Sequence, residues 1–256
     1  MSNRHATKIT RIFRSTRLAI HTLYGFFIAG VILPRVNTRR RKWWISRWCK
    51  QLLAILNIRV IVHGTLPGED VTGTMFVANH VSWTDIHALN SVHAVRFVAK
   101  SEIRGWPVFG WFAEKVDTLF TERTRRQDAG RMVEITANSL RAGDCLCFFP
   151  EGTTSDGTQI LPFKGSLMQA AINAEAKIWP VSIRYTNTDG SPNIEMAYFG
   201  EMSLLESMQQ VIAQHSPVVE LHFAAPIPAK GYERRDLSIL AKHTIAKRLN
   251  LHEQSS

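Results

Sequence analysis

The chain of 256 residues has little cysteine, and no acidic residue precedes Glu69. Three cysteines, Cys49, Cys145 and Cys147, cannot build a disulfide framework for a chain this long. The Cys-x-Cys pair lacks a second pair with which to complete a zinc site, so these read as reduced thiols of a cytosol-facing protein. The pair is expected on opposite sides of a buried strand. No metal-ligand set is recognisable, and no metal is expected. With 10 prolines and 15 glycines, and without internal repeats or low-complexity tracts, collagen-like and linker-like chains are excluded. Ser82 lacks the Gly-x-Ser-x-Gly surroundings of a hydrolase elbow, which argues against a serine nucleophile. A chain that is 45% hydrophobic and 20% charged is not a disordered polymer.

The net charge of +10 is unevenly placed. Residues 1–68 hold 13 Lys and Arg and no Asp or Glu, leaving 18 basic against 21 acidic residues in the remainder. A nucleic-acid-binding protein more often carries its basic surface on the folded domain, so the balance after Glu69 argues against that class.

Within this basic segment, residues 18–34 (LAIHTLYGFFIAGVILP) form the most apolar stretch. As a helix it would span about 25 Å, somewhat less than a hydrocarbon core of about 30 Å. Cations flank it on both sides, five up to Arg17 and seven from Arg35 to Lys50. A full span would leave one cluster on the outer face, against the positive-inside tendency. Pro34-Arg35 stands where a signal peptide would have small residues. Beyond it Trp44, Trp48, Leu52 and Ile55 recur at helical spacing, with Trp43 beside Arg and Lys as in interfacial helices. Two helices are expected, one dipping into a leaflet and one lying on it. A buried core helix over 18–34 is the alternative.

From residue 58 onward short β-rich runs alternate with helical patterns. Strands are expected over 58–63, 74–78, 95–99, 116–120, 145–148, 178–185, 194–199 and 218–223, and helices over 83–92, 124–141, 164–174 and 234–249. This alternation predicts an α/β fold, a mixed and mostly parallel sheet covered by helices, preceded by the two-helix segment. Asn79-His80, Lys100, Arg123 and Glu151 all follow expected strands. Carboxyl ends of parallel strands are where open α/β sheets place a ligand crevice, so one site assembled from four loops is expected.

Two short segments carry chemistry-bearing types. In Asn79-His80-Val81-Ser82-Trp83-Thr84-Asp85, residues five apart on a regular helix would diverge by about 140°. His80 must therefore lie in the turn before the helix, where Asp85 can accept one ring N–H and leave the other nitrogen to take a proton. The second, Phe149-Pro150-Glu151-Gly152-Thr153-Thr154-Ser155, places a carboxylate and free backbone N–H groups in a loop.

Together these segments resemble the motifs of the glycerolipid acyltransferase family, typified by 1-acylglycerol-3-phosphate acyltransferases. Asn79, His80 and Asp85 match its Asn-His-x-x-x-x-Asp motif, and Phe149 to Thr153 with Ser155 match its Phe-Pro-Glu-Gly-Thr-x-Ser motif. Phe120-Thr121-Glu122-Arg123 looks like the Phe-x-x-Arg motif, its two middle residues being the loosest fit. Lys100-Ser101-Glu102, Phe163-Lys164-Gly165 and Ile178-Trp179-Pro180-Val181 also resemble family segments.

The resemblance implies a catalytic domain over 58–256 behind membrane-associated helices in 1–57. It implies acyl transfer from acyl-CoA or acyl carrier protein, as co-substrate with no further cofactor, to a lysophospholipid hydroxyl. His80 and Asp85 would be catalytic; Lys100, Arg123, Glu151, Gly152 and Thr153 would bind substrate. Phosphatidate formation from 1-acylglycerol-3-phosphate is the leading expectation, with acylation of lyso-ornithine lipid as the alternative. Membrane lipids would be partners, and the cytoplasmic face of the inner membrane the location. A non-catalytic lipid-binding protein is the alternative of another class; it leaves the motif context of His80, Asp85 and Glu151 unexplained.

Overall fold

The computed structural model describes residues 5–69, 71–121 and 126–251. Helix α1 (Lys8–Phe27) starts at Thr7, whose hydroxyl accepts from Thr10 N, and runs into a π turn (Ile28–Ile32) and a 3-10 turn (Leu33–Arg35) containing Pro34. Asn37 caps α2 (Thr38–Ile55). There follow β1 (Arg59–Gly64), β2 (Thr74–Ala78), α3 (Thr84–Val92), β3 (Arg96–Lys100), α4 (Phe109–Lys115) and β4 (Leu119–Thr121). The chain continues through α5 (Arg126–Arg141), β5 (Leu146–Phe148), α6 (Met168–Asn173), β6 (Lys177–Thr186), α7 (Leu204–Ala213), β7 (Val218–Phe223), β8 (Ile227–Pro228) and α8 (Arg234–Leu249).

The strands form one sheet in the order β1-β7-β6-β2-β5-β3-β4, with β8 against β6. Strands β2 to β6 are mutually parallel, whereas β7 pairs antiparallel with β6 and carries β1 parallel to itself. The sheet is thus mixed and mostly parallel, as expected. Alternation along its strands divides two cores. Phe76, Ala78, Ile183, Tyr185, Val219 and Leu221 pack with side chains of α2, α3 and α7 on one face. Met75, Val77, Leu146, Phe148 and Ile178 pack with α6 and α8 on the other. Cys145 and Cys147 lie in the same core, not on opposite sides, because residues two apart share a strand face.

Helix α2 supplies Leu52, Leu53 and Ile55 to the sheet's core, so residue 57 marks a change of composition and a helix-to-strand turn. Helix α1 docks outside α2. Trp48 Nε1 donates to His21 O at 3.2 Å, and Gly25 is required there because a Cβ would stand 2.7 Å from that same nitrogen. The Arg14 guanidinium donates to Ile212, Gln214 and His215 carbonyls at the end of α7, where the helix dipole favours a cation. Outward, α1 presents Ile9, Ile12, Phe13, Ile20, Leu23 and Phe27, each more than half exposed. By length and composition, residues 8–35 could cross a membrane.

Helix α8 and strand β2 match the expected bounds. The expected strand over 194–199 is instead a 3-10 turn (Ile194–Met196) and a loop. Its apolar Met196 and Ala197 are fully buried, and Tyr198 N donates to Val81 O at 2.8 Å, so the segment braces the loop after β2. The expected strand over 116–120 begins later, at Leu119. Trp111 and Phe112, on α4, each pack 4.8 Å from the Phe26 ring of α1.

Candidate active site

The site is built where β2 and β5 end. Asn79 prolongs the β2–β6 ladder with its side chain: Ile183 N donates to Oδ1 at 2.7 Å, and Nδ2 donates to Ile183 O at 2.9 Å. This fixes the chain direction into His80. Asp85 stands in the first turn of α3, where the helix N-terminus favours a carboxylate. Its Oδ2 lies 2.7 Å from His80 Nδ1 and accepts from Val81 N at 2.8 Å and Ser82 N at 2.9 Å. The His80 side chain is 18% exposed and that of Asp85 is wholly buried. A carboxylate on Nδ1 places the proton there, so Nε2 carries the lone pair.

Tyr185, far along the sequence on β6, adds a group that spacing alone did not reveal. Its hydroxyl donates to Asp85 Oδ1 at 2.6 Å and lies 2.7 Å from Thr84 Oγ1. Burial, with Asp85 beside it, holds the phenol well above its ordinary pKa, so it remains a donor. Ser82 is fully buried and accepts from Thr84 Oγ1 at 3.0 Å, which gives it a structural place in this network.

The second motif holds the same histidine from the other side. Glu151 is 3% exposed; its Oε1 accepts from His80 N at 2.7 Å and its Oε2 from Leu161 N at 2.9 Å. Both oxygens are thus engaged by the main chain. Burial raises its pKa to about 7, against the two N–H bonds and nearby Lys242. Ser155 N donates to His80 O at 2.9 Å, tying the end of the motif to the same residue. Phe149 stacks on the imidazole at 3.8 Å between centroids, with an interplanar angle of 7°, and Phe97 lies beyond it. The ring is therefore fixed in its plane by Asp85 and across its plane by Phe149.

Gly152 has φ of +72°, a conformation that L side chains rarely adopt, so the backbone calls for glycine there. Lys164 N donates to Pro150 O at 2.8 Å, closing the loop. Thr153 is exposed at the loop's tip. Lys100 is half-buried at the carboxyl end of β3. Arg123 lies outside the described residues. Among the described residues no group of three or more His, Cys, Asp or Glu is placed to hold a metal.

A partly buried histidine on a buried aspartate, at the carboxyl edge of an α/β sheet, can act chemically as a general base. Comparison with known proteins gives the class. A family model described as Acyltransferase matches residues 59–184. The lyso-ornithine lipid O-acyltransferase of Pseudomonas aeruginosa is 34% identical over 218 residues, covering 85% of this chain and 81% of that protein. The 1-acyl-sn-glycerol-3-phosphate acyltransferase of Neisseria meningitidis is 32% identical over 236 residues, 92% of this chain and 91% of its own. The crystal structure of the 1-acyl-sn-glycerophosphate acyltransferase of Thermotoga maritima has the same fold, with a TM-score of 0.65 at 23% identity over 93% of this chain and 96% of that one. The chain belongs to the glycerolipid acyltransferase family and is an O-acyltransferase.

Proposed function

We propose that the protein acylates the free hydroxyl of a lysophospholipid, with His80 as general base. The observation that carries this reading is the 2.7 Å contact between His80 Nδ1 and the buried Asp85 carboxylate, which leaves Nε2 as proton acceptor. The acceptor oxygen attacks the carbonyl carbon of an acyl thioester as Nε2 takes its proton. Asp85 supports the imidazolium that forms. The tetrahedral adduct then expels the carrier's thiolate, which recovers the proton from His80, giving an ester and a free thiol. The nucleophile belongs to the substrate, so the protein need not be acylated.

The leading acceptor is 1-acylglycerol-3-phosphate and the product phosphatidate. Lys100, at the end of β3, and Arg123, two residues beyond β4, would meet the acceptor's phosphate, Arg being suited to bidentate contact. Gly152 and Thr153 would approach the glycerol end, with Glu151 acting through the position of His80. A relative 34% identical that is named for lyso-ornithine lipid supports that acceptor as a second reading. The donor is an acyl thioester of coenzyme A or of acyl carrier protein.

The outward apolar stripe of α1, flanked by cations, supports association with an anionic membrane surface on its cytoplasmic side. Each exposed side chain it buries there contributes about 1.5–3 kcal/mol. Replacing Ile20, Leu23 and Phe27 with serine should lower vesicle flotation by about a hundredfold or more; unchanged flotation would remove α1 as the anchor.

Purified protein in vesicles, offered 1-acylglycerol-3-phosphate and lyso-ornithine lipid separately, tests the assignment. Turnover on the first supports the leading reading. Turnover on lyso-ornithine lipid alone keeps the chemistry and changes the acceptor. Transfer to neither would overturn the function.

A further inference from the structure

Away from the His80–Asp85 pair, a cleft of about 220 Å³ opens between the end of α8 and the sheet face formed by β1, β7 and β6. His63, Arg184, His222 and Arg248 line it with Ser182 and Glu220. The two imidazoles stack at 6.4 Å with an interplanar angle of 26°. His222 Nδ1 is buried and has no hydrogen-bond partner among the described residues. None of these four basic side chains is in an ion pair among the described residues. Glu220 is the lining carboxylate, and it accepts from Thr186 Oγ1 at 3.3 Å. Burial, followed by nearby Arg248 and His63, holds the His222 imidazole below its ordinary pKa. Like charges gathered in a concavity repel; an entering anion converts that repulsion into attraction.

The placement narrows the anion. Ser182 pairs with His222 across β6 and β7, and its neighbour Val181 pairs with Ala78, the residue before Asn79-His80. At about 4.8 Å per strand, β7 and β1 stand about 10 and 14 Å from β2, at the height where the catalytic loop begins. The cleft opens on the α8 face, while α2, α3 and the exposed stripe of α1 belong to the opposite face. A lipid head group would approach on the α1 side; a water-soluble phosphate-bearing molecule can approach on the α8 side.

We propose that this cleft binds the phosphate groups at the nucleotide end of a coenzyme A thioester, whose arm passes over the carboxyl edge of the sheet to His80. The proposal rests on the acyl-transfer reading and selects coenzyme A as the donor's carrier.

The test is the double variant Arg184→Gln/Arg248→Gln, both substitutions lying outside the catalytic network. Titration calorimetry with free coenzyme A and with pantetheine, which lacks the phosphates, reads binding without turnover. Wild type should bind coenzyme A more tightly than pantetheine. The variant should lose about tenfold or more of that preference. In the acyl-transfer assay its KM for acyl-CoA should rise by a similar factor, with kcat and the KM for lysolipid within about twofold. Equal affinity of both proteins for coenzyme A would overturn the proposal. So would a variant defect confined to an acyl carrier protein donor or to phosphatidylglycerol vesicles. Coenzyme A binding that depends on the two arginines, without any transfer by wild type, would uphold the cleft and refute the acyl-transfer reading.

Discussion

His80 is gripped by two buried carboxylates, and the two hold different parts of it. Asp85 takes the ring: one of its oxygens meets Nδ1 and two backbone N–H groups, and the other meets Tyr185. Glu151 takes the main chain, with one oxygen on His80 N and the other on Leu161 N. The first arrangement sets the tautomer and plane of the imidazole. The second sets where His80 stands in the chain. Two motifs separated by some seventy residues thus converge on one residue through different bonds, and their variants should fail differently.

The largest effect is expected on the ring side. Asp85→Asn keeps the shape but removes the charge that supports an imidazolium, and turnover should fall by about 10²–10⁴-fold with lysolipid affinity retained. Steady-state kinetics with both kcat and KM checks it, and a change in KM alone would refute the assignment. On the main-chain side, Glu151→Gln sets an amide N–H₂ against a backbone N–H. A misfit of about 1–3 kcal/mol should displace His80 and lower turnover by about tenfold to a hundredfold. Circular dichroism should show the fold retained. A smaller loss, up to about tenfold, is expected for Tyr185→Phe, which removes one bond to Asp85. That carboxylate then keeps more negative charge for His80, so the acidic limb of kcat/KM should move to higher pH. A merely structural tyrosine would lower activity without moving the limb.

A further effect is thermodynamic, and comparison with Glu151→Gln isolates the share of Glu151. Its carboxyl releases a proton near 4.5 when unfolded and near 7 when folded. Between those values the folded chain holds more protons, so stability falls as pH rises. The thermal midpoint of wild type should therefore decline relative to that of Glu151→Gln from about pH 4.5 to about pH 7. Parallel midpoints across that window would contradict the burial of Glu151.

Much of this architecture was legible because it is local. Strand β2 and helix α8 follow from short-range pattern, and the meeting of Asn79-His80 with Glu151 follows from where the parallel strands β2 and β5 end. The resemblance assigned His80 and Asp85. Helix α7 was missed although Ser203 and Glu206 form a capping box whose Ser-x-x-Glu spacing is visible in sequence. The run over 194–199 differs from the expected strand because burial alone produces an apolar stretch, and here it belongs to a brace on the loop after β2. Tyr185 carried no local signal at all. It meets Asp85 only because β6 lies beside β2. The attachment of Glu151 to His80 N is equally non-local, which is why a substrate contact was the natural expectation for it.

The central claim is that His80 is the base and that the surrounding network exists to hold it. The most direct measurement is acyl transfer by His80→Ala on the acceptor that wild type uses, with vesicle binding followed in the same samples. The account predicts that turnover is lost while vesicle binding is retained. Full turnover by His80→Ala would contradict it.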